Sequence, residues 1–479
     1  MSVHPASGIA GTDLEILRKD VRGTVLAPGQ DGFEEEAAGF NLAVRHRPAV
    51  IVGAAGAEDV AAALRFATAH RLPVAVQATG HGAVQAADGA VLITTSRMRG
   101  VSVDASARSA TIAAGCTWAE VVEAAAPYGL APLNGSSSRV GAVGYTLGGG
   151  LGPIARTFGF AADHVREITV VTADGTIRVA DATRETDLFW GLRGGKGSFG
   201  VVTSMTIDLF PVTSLYGGGL YYAAEDAARV LHAYRDWVGA LPESVTTSVA
   251  MLRLPPAPEL PEPLRGRFVV HLRFACVGED QEAEALLAPM REAAQPIFGA
   301  VGRMPYTEID VVHSDPVDPM PTCERGALLR ELTEETVEAM LAAAGPAAEV
   351  PLAIVELRQL GGALAREPEE PNAVGGRDAA FCLLVIGAPV PELMDTVVPA
   401  CVQATVEALA PWSTGGALLN FLGGGFDAER ISRVWPEAAL RRLVELKDRY
   451  DPENLFRLGH VVPRDGLPGG TGRKDHPQH

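Results

Sequence analysis

The glycine cluster GAVGYTLGGGLG (residues 141–152) constrains this chain more than any other stretch. Residues without a Cβ let backbone N–H groups approach a ligand closely and form a concavity suited to an anion. Phosphate or pyrophosphate is the natural occupant, and a flexible turn is the alternative. Within the cluster Gly150, Gly152 and Ala155 fit the dinucleotide fingerprint G-x-G-x-x-A, with Asp174 about 20 residues further on. That fingerprint needs an apolar strand before it, and LNGSSSRVGAVGYT is not one. The match is accidental, and an NAD-dependent dehydrogenase has no other support.

A second glycine-bearing loop lies upstream. PAVIVGAAGAEDVAAALRFATAHRLPVAVQATGHGA reads as strand, helix, strand and loop. Val50 to Val52 form the first strand, Val60, Leu64 and Ala67 share one helical face, and Pro73 restarts the chain as a strand ending near Gln77. His81 then falls in the loop at the carboxyl end of a strand, where open α/β arrangements tend to bind ligands. Gly80 and Gly82 flank it, and an imidazole is nucleophilic enough to form a covalent cofactor bond. A lone loop histidine can equally be a plain hydrogen-bonding group.

Further on, short strands are expected around Val91 to Thr94 and Ala110 to Ala113, and Thr117 with Glu120 is a capping-box signature. ITVVTADGTIRVA is a hairpin turning at Asp174-Gly175, and GVVTSMTIDLFPV is a strand closed by Pro211. From about Leu215 the texture changes: strands near 216–222, 244–254, 267–277, 350–358, 380–387 and 416–422 alternate apolar with polar residues between amphipathic helices. Such strands form an antiparallel sheet with one face covered by helices and the other turned toward something else. PPAPELPEPLRG and the stretch around 362–378 read as surface loops. LRRLVELKDRYDPENLF ends a helix before Asp451-Pro452.

The expected organisation is α+β with two domains: 40–214 as a cofactor domain, 215–430 as a substrate domain, 431–463 returning to the first, and 464–479 as a disordered tail. The net charge of -18 is spread along the chain without a basic run, which argues against nucleic acid and anionic membrane partners. Five widely spaced cysteines, mostly in apolar stretches, read as free thiols in a reducing cytoplasm. No apolar stretch reaches the roughly 18 residues of a membrane span, the N-terminus lacks a signal pattern, and no metal site is expected.

The ordered series GHG, GCTWAEV, VGAVGYTLGGGLG, DHVREITVVTADG, DLFWGLRGGKGSFGVVT and KDRYDPENLF resembles the berberine-bridge-enzyme-like FAD-linked oxidases, of the vanillyl-alcohol-oxidase or PCMH-type FAD-binding fold family. The resemblance is close over roughly 45–212 and again at the C-terminal YDPENLF, whereas the middle domain matches mainly in layout and in RQLGGALAR. It implies a two-domain PCMH-type fold, FAD as cofactor, a small-molecule substrate, O2 as acceptor and a monomer or homodimer. Ala78, Thr79, Gly80, His81 and Gly82 would wrap the pyrophosphate, with His81 bonded to the flavin. Gly141, Gly144, Tyr145, Gly148, Gly149 and Gly150 would line its other side, His164, Val165, Val201 and Val202 would contact its remaining length, and Asn454 would bring the C-terminus back.

Three departures from the family pattern bear on chemistry. Ser137 stands where doubly linked members have a cysteine, which implies a single link through His81. Leu418-Leu419-Asn420 replaces Tyr-x-Asn, so the family's usual base is missing. Gly459 and Val461 replace two asparagines of the C-terminal ending, which leaves contacts there, including any from His460, open. Candidate bases are then Tyr145, Glu356, Tyr306 and His313, with Tyr145 first, while Arg358 and Gln359 are candidates for positioning substrate. Glu356 and Arg358 share a strand face that roofs an active site or carries a surface ion pair. The expected reaction is hydride removal from an alcohol, amine or activated C–H, with reoxidation by O2. The alternative is a flavin-bound lyase, cyclase or redox-inactive binding protein, which the leucine at 418 favours.

Overall fold

The computed structural model describes residues 9–424 and 427–464, so the tail expected over 464–479 lies, beyond Arg464, outside the described residues. Its strands fall into three sheets. The first comprises β1 (Thr24–Leu26), β2 (Val50–Gly53), β3 (Val74–Gln77) and β4 (Val91–Thr94), in the order β1-β2-β4-β3. Strands β2, β4 and β3 run parallel, with the helix Ala57–His70 as the crossover between β2 and β3. That helix buries Val60, Leu64 and Ala67, the face its 3.6-residue period predicts.

The second sheet comprises β5 (Val101–Asp104), β6 (Ser109–Ala113), β7 (Val165–Thr172), β8 (Ile177–Asp181) and β9 (Gly200–Asp208), in the order β5-β6-β9-β7-β8. β7 and β8 form the hairpin expected at Asp174-Gly175, and the Thr117–Glu120 capping box starts the helix Trp118–Ala125.

The third sheet is wholly antiparallel: β10 (Ser214–Ala223), β11 (Val245–Arg253), β12 (Phe268–Cys276), β13 (Phe298–Pro305), β14 (Glu324–Leu329), β15 (Leu352–Gln359) and β16 (Phe381–Gly387). Its order is β13-β10-β12-β11-β15-β16-β14. Val249, Met251, Val270, Leu272, Val355 and Leu357 join Leu231, Tyr234, Leu287, Met340 and Val402 of the covering helices in one core. Strand alternation sends Ser248, His271, Arg273, Glu356 and Arg358 to the opposite face.

Three expectations fail. Residues 416–422 are not a strand: Leu419–Phe421 is a 3-10 turn between Gly415 and Gly423, both at positive φ, and it drops Leu418, Leu419 and Leu422 into apolar cores. Strands β13 and β14 carry no strong period-two signal, β13 being interrupted by two glycines and β14 by one. The 362–378 stretch is on the surface mainly over 365–371, because Ala373 is buried, its N–H donates to the Arg193 carbonyl at 2.8 Å, and Arg377 pairs with Asp163 at 2.6 Å.

Candidate active site

The loop after β3 is built to receive an anion. Among the described residues, none of the backbone N–H groups of Thr79, Gly80, His81 and Gly82 finds a protein acceptor. Successive unpaired donors cost free energy unless a ligand or water takes them, and they form the nest that binds phosphate. Gly80 has φ +75, and a Cβ there would lie 2.5 Å from the Gly39 Cα, so only glycine fits. These features suit the pyrophosphate of FAD.

The two glycine loops meet. The Thr79 hydroxyl accepts from the Gly141 N–H at 3.3 Å and lies 2.8 Å from the His81 Nδ1. His81 stacks on Phe40, centroids 3.8 Å apart and 14° from coplanar. Burial lowers its pKa to about 4, so the imidazole is neutral and nucleophilic. Gly144 and Tyr145 lie in the helix Ala142–Leu147, and Gly148, Gly149 and Gly150 follow it. A Cβ on Gly150, at φ +79, would strike the Tyr145 ring at 2.5 Å.

Asn420, reached from the third sheet's side, donates to the Tyr145 carbonyl at 2.8 Å and accepts from Lys196 at 3.4 Å. Lys196 holds φ 54, ψ -138 inside the run Gly194-Gly195-Lys196-Gly197, a conformation strained for any residue with a Cβ. Its Nζ sits 3.6 Å from where a Gly82 Cβ would be. Burial lowers it to about 8, opposed by Glu324, which burial raises to about 7 against the pull of Lys196 and Arg358. Sequence reasoning missed Phe40, Lys196 and Glu324. A single cation inside a glycine run was the available signal for Lys196.

Across a cavity lined by Leu151, Gly152, Thr246, Ser248, His313 and Arg358 stands the open face of the third sheet. Register explains the cluster there. Ser248 on β11 is opposite Arg273 on one side and Arg358 on the other, and Ala250 is likewise opposite His271 and Glu356. Small residues on the central strand leave room for long ones to fold over it. Glu356 Oε1 accepts from the Ser248 hydroxyl at 2.8 Å and forms an ion pair with Arg273 Nη1 at 2.6 Å, while Oε2 pairs with Arg358 Nη2 at 3.0 Å. The pair is thus buried, contrary to the surface ion-pair reading, with Glu356 only 2% exposed. Arg273 and His271 were missed, although VVHLRFAC alternates them onto one face.

Several candidates change standing. Burial would raise Glu356, but Arg273 and Arg358 overcome this and hold it at about 2, so with both oxygens engaged it is a poor proton acceptor. Gln359 also lines the cavity, but its side-chain amide donates to the Val238 carbonyl at 2.7 Å. Tyr306 gives its hydroxyl to the Pro132 carbonyl and Asn134 side chain at 2.6 and 2.7 Å. Burial pushes the Tyr145 hydroxyl far above its ordinary value, opposed by Arg358, and leaves it without a hydrogen-bond partner. His313 keeps a buried, unpartnered Nδ1, and its Nε2 lies 3.8 Å from Glu356 Oε1. Burial, then Arg358 and Arg273, hold it well below 6.5, so it is neutral.

Of the remaining cofactor candidates, His164 has both ring nitrogens engaged, at 2.6 Å from the Phe158 carbonyl and 3.4 Å from Asp208. It has no free nitrogen for a ligand. Val165, Val201 and Val202 pack in protein cores. Asn454 takes a left-handed turn at φ 51, and the next residue, Leu455, accepts from the Val74 N–H at 2.9 Å, tying the C-terminus to the strand before the His81 loop. His460 approaches the Gly423 carbonyl at 2.8 Å with its Nε2. Leu418, where the family pattern has tyrosine, is packed among Leu328, Leu360 and Leu364.

Residues 48–181 match the FAD binding domain family, and residues 433–463 match the berberine and berberine-like family. The FAD-linked oxidoreductase YgaK of Bacillus subtilis (strain 168) is 26% identical over 400 residues, spanning 78% of this chain and 81% of that protein. The (R)-6-hydroxynicotine oxidase of Paenarthrobacter nicotinovorans is 26% identical over 79% of this chain and 82% of its own. In fold, the chain superposes with TM-score 0.80 and 20% identity on glucooligosaccharide oxidase from Acremonium strictum, whose FAD is 6-S-cysteinyl and 8α-N1-histidyl, over 95% of this chain and 100% of that one. No helix among the described residues is long and apolar enough to cross a membrane, and no group of residues among them could hold a metal ion. An FAD binding domain match, a berberine-like match near the C-terminus and a PCMH-type α+β fold together make this protein an FAD-linked oxidoreductase that resembles the berberine-bridge-enzyme-like proteins.

Proposed function

We propose that the chain oxidises a small organic molecule at a C–H next to an O–H or N–H, with O2 as the electron acceptor. Residues 40–214 and 431–463 would hold the cofactor and 215–430 the substrate. The observation that carries this reading is that the Thr79–Gly82 nest is joined through Gly141 to the glycine loop, whose Leu151 and Gly152 line a cavity with Arg273, His313 and Arg358. When bound, FAD supplies the two-electron acceptor that takes the substrate's hydride and passes it, with a proton, to O2 as hydrogen peroxide.

The chain's own residues manage binding and protons. The nest and the loop 141–150 would hold the dinucleotide. His81 would be the single covalent anchor, since Ser137 offers no thiol. Lys196 would place a positive charge beside the flavin ring and favour its reduced, anionic form. His313 would take the substrate's O–H or N–H proton at Nδ1: the nitrogen is unpartnered, the ring is neutral and the residue lines the cavity, with Glu356 Oε1 3.8 Å from its Nε2. Tyr145 ranks below it, because its hydroxyl would have to ionise against burial.

Mixing purified protein anaerobically with a panel of alcohols and amines tests this reading. A substrate that bleaches the flavin until air is admitted, with peroxide released in equal amount, is the expected result. Turnover of a substrate without bleaching would make the protein a flavin-bound lyase or cyclase instead. Colour retained after acid precipitation and lost in His81→Ala checks the linkage.

A further inference from the structure

The cavity face of the third sheet leaves cationic donors unspent. Glu356 is already committed: its Oε1 accepts from Ser248 and lies 2.6 Å from Arg273 Nη1, and its Oε2 lies 3.0 Å from Arg358 Nη2. Arg358 is not. It uses Nη2 on Glu356 and on the distant Ser136 hydroxyl at 3.5 Å, while its Nε is buried without any partner. The residue is 9% exposed and lines the cavity, and the Phe421 ring lies 5.1 Å from its guanidinium carbon.

The charges around it do not supply the missing acceptor. His271 and His313 are neutral, held down first by burial and then by Arg273 at His271 and by Arg358 and Arg273 at His313. Glu324 acts on Arg358 only through space and is shared with Lys196, and Asp315, only part-buried, acts likewise without a hydrogen bond to it. Two guanidiniums held on one carboxylate, with buried donors free, match the planar fork that binds an oxyanion. A buried polar group left unpaired costs about 1–3 kcal/mol, and more when charged, so such a site is finished by its ligand.

We propose that the substrate of this enzyme is an organic anion whose acidic oxygen, a carboxylate or an ionised enol or phenol, docks on Arg358, setting the oxidisable C–H between the sheet and the flavin loops. The proposal rests on the flavin-oxidoreductase reading of the cavity and names its substrate class. Arg273 holds Glu356, and Glu356 in turn holds Arg358 in place, so Arg358 is the specificity-determining residue and Arg273 a positioning one.

Titrating the oxidised flavin-bearing protein with benzoate, its neutral isostere benzamide, and 4-nitrophenolate, while following the visible flavin band, tests the assignment. Benzoate or 4-nitrophenolate should shift the band and bind at least about tenfold more tightly than benzamide. The stronger of the two identifies the oxygen as carboxylate or phenolate. Arg358→Met should weaken the anion about 10- to 100-fold and leave benzamide unchanged, and Arg358→Lys, which keeps charge without the fork, should fall between. Benzamide binding as tightly as both anions would overturn the proposal whatever the variants do, and so would full anion affinity in Arg358→Met. Protein that carries no flavin would instead defeat the parent reading, and that result is visible before any titration.

Discussion

Two buried ion clusters in this molecule are completed to different degrees. Near the C-terminus Lys447 and Asp451, both fully buried, satisfy each other. The ammonium donates to Asp451 at 2.6 Å and to the carbonyls of Ser198 and Phe456 at 3.0 and 2.6 Å, and Asp451 accepts from the N–H groups of Leu455 and Phe456 at 2.7 and 2.9 Å. Every strong donor and acceptor is used, and the result is a staple between the last helix, the end of β9's leading turn and the strand-like tail. Under the third sheet, Arg273, Glu356 and Arg358 are also buried, yet atoms of Arg273, Arg358, His271 and His313 stay without a hydrogen-bond partner. A closed cluster contributes rigidity, and an open one holds donors ready for something that arrives later.

The comparison is broken most sharply at His313. His313→Asn should slow anaerobic flavin reduction by about 10²- to 10⁴-fold, the usual contribution of general base catalysis, with the unfolding midpoint unchanged. Stopped-flow absorbance reads the first and thermal melting the second. An equal loss in Tyr145→Phe, with His313→Asn active, would return the role to the tyrosine. Lys447→Met should do the reverse. Leaving Asp451 buried and unpaired costs about 3–5 kcal/mol, visible as a lower denaturation midpoint, while flavin reduction in the folded fraction is unaffected.

Smaller effects sharpen the contrast. Lys196→Met should weaken the sulfite adduct of the bound flavin by about tenfold, the equivalent of about 1.4 kcal/mol of lost attraction for the anion. The sign of its pH dependence follows from the lowered pKa: Lys196 is charged below about 8, so sulfite affinity should be full below that pH, fall as pH rises through it, and lose this step in the variant. The smallest effect is an absence. With His313 held well below 6.5, the reduction rate should show no loss on the acid side between about pH 6 and 8, and an inflection near pH 6.5 would mean that the histidine titrates normally.

Local patterns made much of the flavin half legible. The β2-helix-β3 unit, the Asp174-Gly175 hairpin, the capping box at Thr117 and the end of the last helix all follow from residues within one element or turn. The approach of the two glycine loops was implied only by the family resemblance, which set them on either side of one cofactor. The substrate side was less legible. Glu356 and Arg358 were placed on one face by alternation, but their burial and their partners were not, nor was the bond that commits the Gln359 amide to the Val238 carbonyl. The run at 416–422 looked like a strand because LLNFL is apolar, yet the glycines beside it close it into a turn.

By itself, then, the sequence determined the cofactor side: glycines that let the backbone approach closely, a histidine between two of them, and an apolar period of 3.6 or 2 are properties of neighbouring residues and survive without knowledge of the rest of the chain. Only the tertiary structure decided the substrate side. Arg273, Ser248 and Arg358 share a row because β12, β11 and β15 pair in one register, and a shift of one residue would turn each of them to the helices. Register between strands so far apart in sequence is set by the packing of the whole sheet. The same holds for Lys196, whose strained backbone acquires a meaning only once Gly82 and Asn420 are seen beside it.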